Sequence, residues 1–249
     1  MTLSALPSFA ARTQGEEWMD DLGVEGKPLT DALDELRVVN RYLGGYAATL
    51  SALGPWLKAR CGAKTRLLDV GTGVADFPEV IVRWAAPQDP PIDLEIMAID
   101  ANPATVSFAR ESLSRRLPES LARKITVECA DAMALPYPDQ SFDLALAAMF
   151  LHHFPGSSAV DVVKSMGRVS RHGVLINDLH RNPLAYYGIR ALTSVLPASP
   201  MVRHDGPLSV LRGFKRDELA EIARSAGIER FQVRWHWAFR WVLSSVGSP

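Results

Sequence analysis

Arg66-Leu67-Leu68-Asp69-Val70-Gly71-Thr72-Gly73-Val74-Ala75-Asp76 is the stretch that decides the fold. A short apolar run, the pattern of a buried strand, ends in Gly-Thr-Gly and gives way to a helical pattern from Pro78 to Ala86. Glycine is needed where a backbone turns tightly and a ligand has to approach without a Cβ in the way. Such turns also occur with no ligand, and with nicotinamide and flavin cofactors. The stretch therefore gains meaning from the elements downstream of it. After a turn at Pro87, Pro90 and Pro91 come a strand (Leu94 to Ile99), a helix opened by proline (Pro103 to Arg116) and a strand (Ile125 to Cys129). Two more strands, Phe142 to Ala147 and Val174 to Asp178, flank a helix from Ser158 to Val169. Strands alternating with helices predict a parallel sheet covered on both faces.

Outside that block the pattern changes. Upstream, acids dominate from Glu16 to Glu35, which predicts a solvated, partly mobile arm. A helix runs from Thr30 through Leu33, Leu36 and Leu43 to Gly44-Gly45, then another from Ala47 to Arg60. Downstream, a Pro- and Gly-punctuated stretch (Pro197 to Gly213) precedes a helix from Arg216 to Ala226. Two β-rich runs, Phe231 to His236 and Ala238 to Leu243, close the chain as a pair of edge strands, antiparallel at one edge.

Composition narrows the class. The 249 residues are 47% hydrophobic and 22% charged, a globular makeup. Lys+Arg 27 against Asp+Glu 28 lacks the basic surplus of a nucleic-acid binder. Cys61 and Cys129 stand far apart, without metal-ligand spacing. Met1 to Glu17 has no signal-peptide pattern, and the longest apolar run, Leu144 to Leu151, is far short of a membrane span of roughly 18 residues. A cytoplasmic protein with no membrane and no nucleic-acid partner is expected, as a monomer or homodimer.

Three further features accompany the Gly-Thr-Gly turn. Asp100-Ala101 ends the second strand, where an acid can bond the paired hydroxyls of a ribose or cap the helix at Asn102-Pro103. Asp131-Ala132 comes after the third strand, and Asp139-Gln140-Ser141-Phe142-Asp143-Leu144 opens the fourth, which Met149 ends. In this order the elements resemble the class I S-adenosylmethionine-dependent methyltransferases over about Arg66 to Asp178. The resemblance implies a Rossmann-like α/β fold: a mostly parallel seven-stranded sheet with helices on both faces, an antiparallel final strand and a helical N-terminal cap. It implies S-adenosylmethionine bound by Asp69, Gly71, Thr72, Gly73, Asp76, Asp100, Ala101, Asp131, Ala132 and Met149. The loop departs from the family at Ala75, where glycine is usual. A dehydrogenase would need a third glycine where Asp76 stands, and a carboxylate there opposes a diphosphate.

Methyl transfer from a sulfonium is an in-line displacement in which positioning does much of the work. A phenolic acceptor also benefits from a base, and histidine is suited to neutral pH. His152-His153 after strand four and His180 after strand five are the candidates, all three open to purely structural readings. Asn177-Asp178 raises a metal-assisted alternative, but Met149 stands where that arrangement wants a carboxylate, so no metal is expected.

Asp178 to Gly188, together with Val39 to Gly45, resembles small-molecule methyltransferases associated with bacterial polyketide (type III-like) pathways. That resemblance implies a cap of residues 1–62 over a core of 63–249, with a lid around 182–214. It also implies that Arg41 pairs with the methionyl carboxylate. Tyr186, Tyr187, Met201, Leu208 and Phe214 would wall a small aromatic acceptor, methylated on oxygen. The alternatives are carbon methylation of an activated ring or quinol, and a non-catalytic module that binds S-adenosylmethionine.

Overall fold

Leu67, Leu68 and Val70 of strand β1 (Thr65–Val70) are at most 1% exposed, and neighbouring residues face opposite layers of core. The computed structural model describes residues 7–246; the first six residues of the expected arm and the last three of the expected core lie outside the described residues. β1 lies third, beside the central strand β4, in a seven-stranded sheet ordered β3-β2-β1-β4-β5-β7-β6. β2 (Leu94–Asp100), β3 (Ile125–Cys129), β4 (Leu144–Ala148) and β5 (Val174–Leu179) run parallel to it. β7 (Arg240–Ser244) is antiparallel to β5 and to the edge strand β6 (Gln232–His236).

The period-2 alternation of the strands sorts their side chains into two layers. Leu67, Ile96, Leu146 and Leu175 pack beneath helices α2 (Gly45–Ala59), α3 (Asp76–Ala85) and α4 (Pro103–Arg116). Leu68, Ala145, Ala147 and Ile176 pack against α6 (Ser157–Val169) and α9 (Arg216–Ser225). A single turn, α5 (Glu119–Ala122), precedes β3. Strand order reverses direction between β1 and β4, and open α/β sheets bind ligands at the carboxyl ends of strands at such a point. Among the described residues no helix is long and apolar enough to cross a membrane.

Three expectations need correction. Helix α1 (Lys27–Tyr42) starts before Thr30, because Pro28 sits in its first turn with φ already set for a helix. The punctuated stretch Pro197 to Gly213 is not a loop: α8 (Pro200–Arg212) fills most of it, and α7 (Pro183–Val195) comes just before. Each opens with a proline behind a capping side chain, Asn182 accepting from the Leu184 amide (2.8 Å) and Ser199 from that of Val202 (3.3 Å). Nor is the acidic opening solvated throughout. Residues 12–20 cross the carboxyl end of the sheet as a strap, with Glu17 only 5% exposed. Asp205 of α8 accepts from the Trp18 and Met19 amides (2.9 and 3.1 Å), and Ser209 donates to Glu17 (2.7 Å).

Candidate active site

A cleft of about 790 Å³ opens over the carboxyl ends of β1, β2 and β4, under the strap, α1 and α8. Its floor is the turn after β1. Gly71 has φ +71, and a Cβ there would lie 2.0 Å from the Phe150 ring, so only glycine fits. The Thr72 hydroxyl donates to Asp69 at 2.6 Å, and the Gly73 amide donates to Asp100 at 3.0 Å. Asp100 also accepts from the Asn102 amide (3.0 Å), while the side chain capping α4 is Asn102 itself. Of the two readings of Asp100, the helix-cap role therefore belongs to its neighbour.

The carboxylates around this floor have neutral partners. Asp76 accepts from the Tyr46 hydroxyl (2.8 Å) and the Asn40 amide group (3.1 Å). Burial raises the carboxyl pKa of Asp76 and Asp100, and pushes that of Asp69, beneath the turn, to about 7. A diphosphate would meet these groups unfavourably, whereas a sulfonium cation would not. Ala101, Asp131, Ala132 and Met149 line the same end. Asp131 caps the short turn Ala132–Ala134 through the Met133 amide (2.8 Å). Arg240, 1% exposed, backs this end by holding Asn40 (3.2 Å) and contacting the Met149 sulfur.

At the other end, a tight turn after β4 (Leu151–His153) brings in the histidine pair, the rings 4.2 Å apart. His152 Nδ1 lies 2.7 Å from Asp178 of β5, and His153 Nδ1 lies 2.6 Å from Asp20 of the strap. Burial opposes ionisation of Asp178. The facing His152, with the amides of His152 and Leu179, outweighs it and holds the carboxyl below its ordinary range. Asp20 is likewise depressed against burial, by His153 and Arg212. Glu17, raised by burial, points Oε1 at His152 Nε2 from 3.7 Å. Apolar side chains including Leu36, Phe150, Phe154 and Met201 complete the walls.

Two expected site residues stand elsewhere. Arg41 is exposed, its guanidinium 5.9 Å from the Tyr42 ring centroid. One residue along a helix is a 100° turn, so the residue facing inward is Asn40. His180 lies outside the cleft, packed against Trp241 (5.0 Å) and Phe239 (6.4 Å) of the edge hairpin. Of the expected acceptor wall, only Met201 lines the cleft. The metal-assisted arrangement at Asn177-Asp178 is not assembled, because Asn177 donates to Gly45 O and Thr49 while Asp178 holds His152. Sequence reading missed Glu17, Asp20, Asn40, Tyr46 and Arg212. Their partners lie 30 to 192 residues away, and no local spacing signals such pairs.

The sheet order, the glycine turn under a cleft and the acid ending β2 together define a Rossmann-like methyltransferase architecture. Residues 67–173 match the family described as "Methyltransferase domain". A demethylmenaquinone methyltransferase of Roseiflexus castenholzii is 26% identical over 209 residues, covering 79% of each chain. A 27-O-demethylrifamycin SV methyltransferase of Amycolatopsis mediterranei is 31% identical over 62% of this chain, which spans 56% of that protein. A methyltransferase structure from Aquifex aeolicus superposes with TM-score 0.55 at 17% identity, covering 88% of this chain and 97% of that one. Residues 67–173 thus form a methyltransferase domain, and the enzyme they make depends on S-adenosylmethionine.

Proposed function

We propose that the enzyme methylates an oxygen of a small, apolar, phenolic acceptor, polyketide-derived or similar, and that His152 and His153 are where the acceptor's proton leaves. The observation that carries this reading is one cleft with two chemically distinct ends. The end at Gly71, Gly73, Asp76 and Asp100 fits a nucleoside with a cationic sulfonium, since only a glycine fits against Phe150 and the buried carboxylates have neutral partners. The other end presents two imidazoles among apolar walls.

S-adenosylmethionine, when bound, supplies an electrophilic methyl group. The chain's own residues do the rest. Asp100 and the turn it braces hold the ribose end, with Asp131-Ala132 beside the base. Phe150, Phe154 and Met201 desolvate a flat acceptor, which strengthens every polar contact inside. Asp178 and Asp20 each take the Nδ1 hydrogen of a histidine, which leaves its Nε2 lone pair for the acceptor hydroxyl. The N-terminal strap and helices, with α7 and α8, serve as cap and lid over the core.

Carbon methylation of an activated ring is the second reading, favoured by the relatives named for demethylmenaquinone; the relative named for a 27-O position favours oxygen. Incubation with S-adenosylmethionine and a panel of simple phenols and hydroquinones tests both. Acceptor-dependent S-adenosylhomocysteine with loss of the phenolate absorbance at high pH supports O-methylation. Retained phenolate absorbance in a methylated product moves the assignment to carbon, and cofactor binding without turnover on any acceptor removes the phenol reading.

A further inference from the structure

His152, His153 and Glu17 bring one ligand atom each to within 4.8 Å of one another. They come from different elements, the turn after β4 and the strap. Each imidazole has its Nδ1 against a carboxylate, Asp178 at 2.7 Å and Asp20 at 2.6 Å. That outer contact fixes the tautomer with a free lone pair on Nε2, and it is the usual support of a metal-bound histidine. Glu17 Oε2 is anchored by the Ser209 hydroxyl (2.7 Å), while Oε1 is buried with no hydrogen-bond donor. Two nitrogen lone pairs and a carboxylate oxygen without a hydrogen bond thus share one pocket, with the Arg212 guanidinium 3.5 Å from that oxygen as its one nearby cation, and a metal ion between them would satisfy all three.

We propose that these three atoms bind a divalent transition ion of the zinc type. Two imidazoles and one carboxylate suit zinc, cobalt or iron better than magnesium or calcium. With bonds of about 2.0–2.2 Å, tetrahedral edges are about 3.4 Å, so a separation of up to 4.8 Å has to close by as much as about 1.4 Å. Glu17, carried by the strap rather than by the sheet, is the residue placed to make that adjustment. The local charge admits a cation. Asp20, Asp178 and Glu17 face Arg12 and Arg212; Arg212 is shared among Asp20, Glu17 and the His152 and His153 carbonyls, and a bound cation would offset the burial that raises the Glu17 carboxyl. Glu17, His152 and His153 all line the cleft, so an ion held there would lower the pKa of an acceptor hydroxyl beside it; the imidazoles would then serve as its ligands, and as bases only in the metal-free enzyme.

The inference rests on reading this end of the cleft as the acceptor's, and the test separates the two. The full chain is stripped with chelator and titrated with Zn²⁺ alone by calorimetry. One ion per chain is expected, with affinity at least ~10-fold weaker in Glu17→Gln and in His153→Ala, ~10–100-fold weaker in Asp20→Asn, and unchanged in His180→Ala. Circular dichroism and S-adenosylhomocysteine binding check that the variants fold. Co²⁺ provides a measurement that needs no variant: visible d–d bands without the near-ultraviolet sulfur band that Cys61 or Cys129 would add. No saturable Zn²⁺ binding, or binding equal in Glu17→Gln and His153→Ala, overturns the site. Phenol methylation by chelated enzyme at full rate also overturns it while leaving the functional reading intact. Zinc held by these residues with no phenol turned over supports the site and removes that reading instead.

Discussion

Replacing Asp69 by asparagine should make the protein more stable at pH 8 and leave it nearly unchanged at pH 4. Asp69 is 2% exposed, its side chain accepts from the Thr72 hydroxyl, and burial pushes its carboxyl from 3.8 to about 7, helped by the charges of Asp76 and Asp100. Between pH 4 and 7 the folded chain therefore keeps a proton that the unfolded chain has released. Stability contributed by this group is present below pH 4, falls as pH rises and is lost above 7. A shift of about three units is worth ~4 kcal/mol at 1.36 kcal/mol per unit. Asparagine cannot ionise and still accepts from Thr72, at a loss of about 1 kcal/mol for the charge-assisted bond. The net gain at pH 8 is about 3 kcal/mol, or roughly 6–12 °C in Tm for a chain of this size. Thermal and urea denaturation of both proteins at pH 4 and pH 8, without ligand, measures it. An equal difference at the two pH values, or a less stable variant at pH 8, would show that Asp69 does not titrate in this way.

Other substitutions probe the rest of the cleft. Asp100→Ala removes the proposed ribose acceptor and leaves the Gly73 and Asn102 amides unpaired, so S-adenosylhomocysteine affinity by calorimetry should fall by about 1.5–3 kcal/mol, ~10–150-fold. Asp178→Asn frees the His152 ring to take the wrong tautomer, and turnover on any accepted phenol should drop ~10²–10⁴-fold. Because the Asp178 carboxyl is depressed, its contribution to stability is present above pH 4 and lost on acidification, so wild type should show an acid-side loss of stability that the asparagine variant lacks. His180→Ala, outside the cleft, should change turnover by no more than a few-fold in the same assay. Gly71→Ala places a methyl 2.0 Å from Phe150 at φ +71, and should abolish the Tm shift given by S-adenosylhomocysteine.

What the sequence discloses here is what local chain geometry controls. The run Leu67 to Asp76 shows a strand, a glycine turn and a helix start within ten residues, and the alternation of strands and helices implies parallel strands joined by crossovers, whereas the strand order itself is not written locally. Phase is harder to read. Arg41 and Asn40 are adjacent in sequence, yet only burial of one α1 face turns Asn40 inward. Proline also has two meanings: at Pro183 and Pro200 it starts helices, because Asn182 and Ser199 precede it as caps. The Glu17–Ser209 and Asp20–His153 contacts join residues 192 and 133 positions apart, and nothing local in an acidic stretch distinguishes an acid in water from one under a helix.

The strap bears on how the enzyme responds to salt and acid. Its attachments to α8 and the histidine turn are polar: Asp205 to the Trp18 and Met19 amides, Asp20 to Arg212, Glu17 to Ser209. These contacts are few and polar, yet Arg212 and Glu17 are buried, so dissolved salt screens them far less than it would surface pairs. The strap is therefore expected to keep its place over the cleft across ordinary ionic strengths, and to loosen on acidification, when Asp20 takes up a proton and lets go of Arg212 and His153.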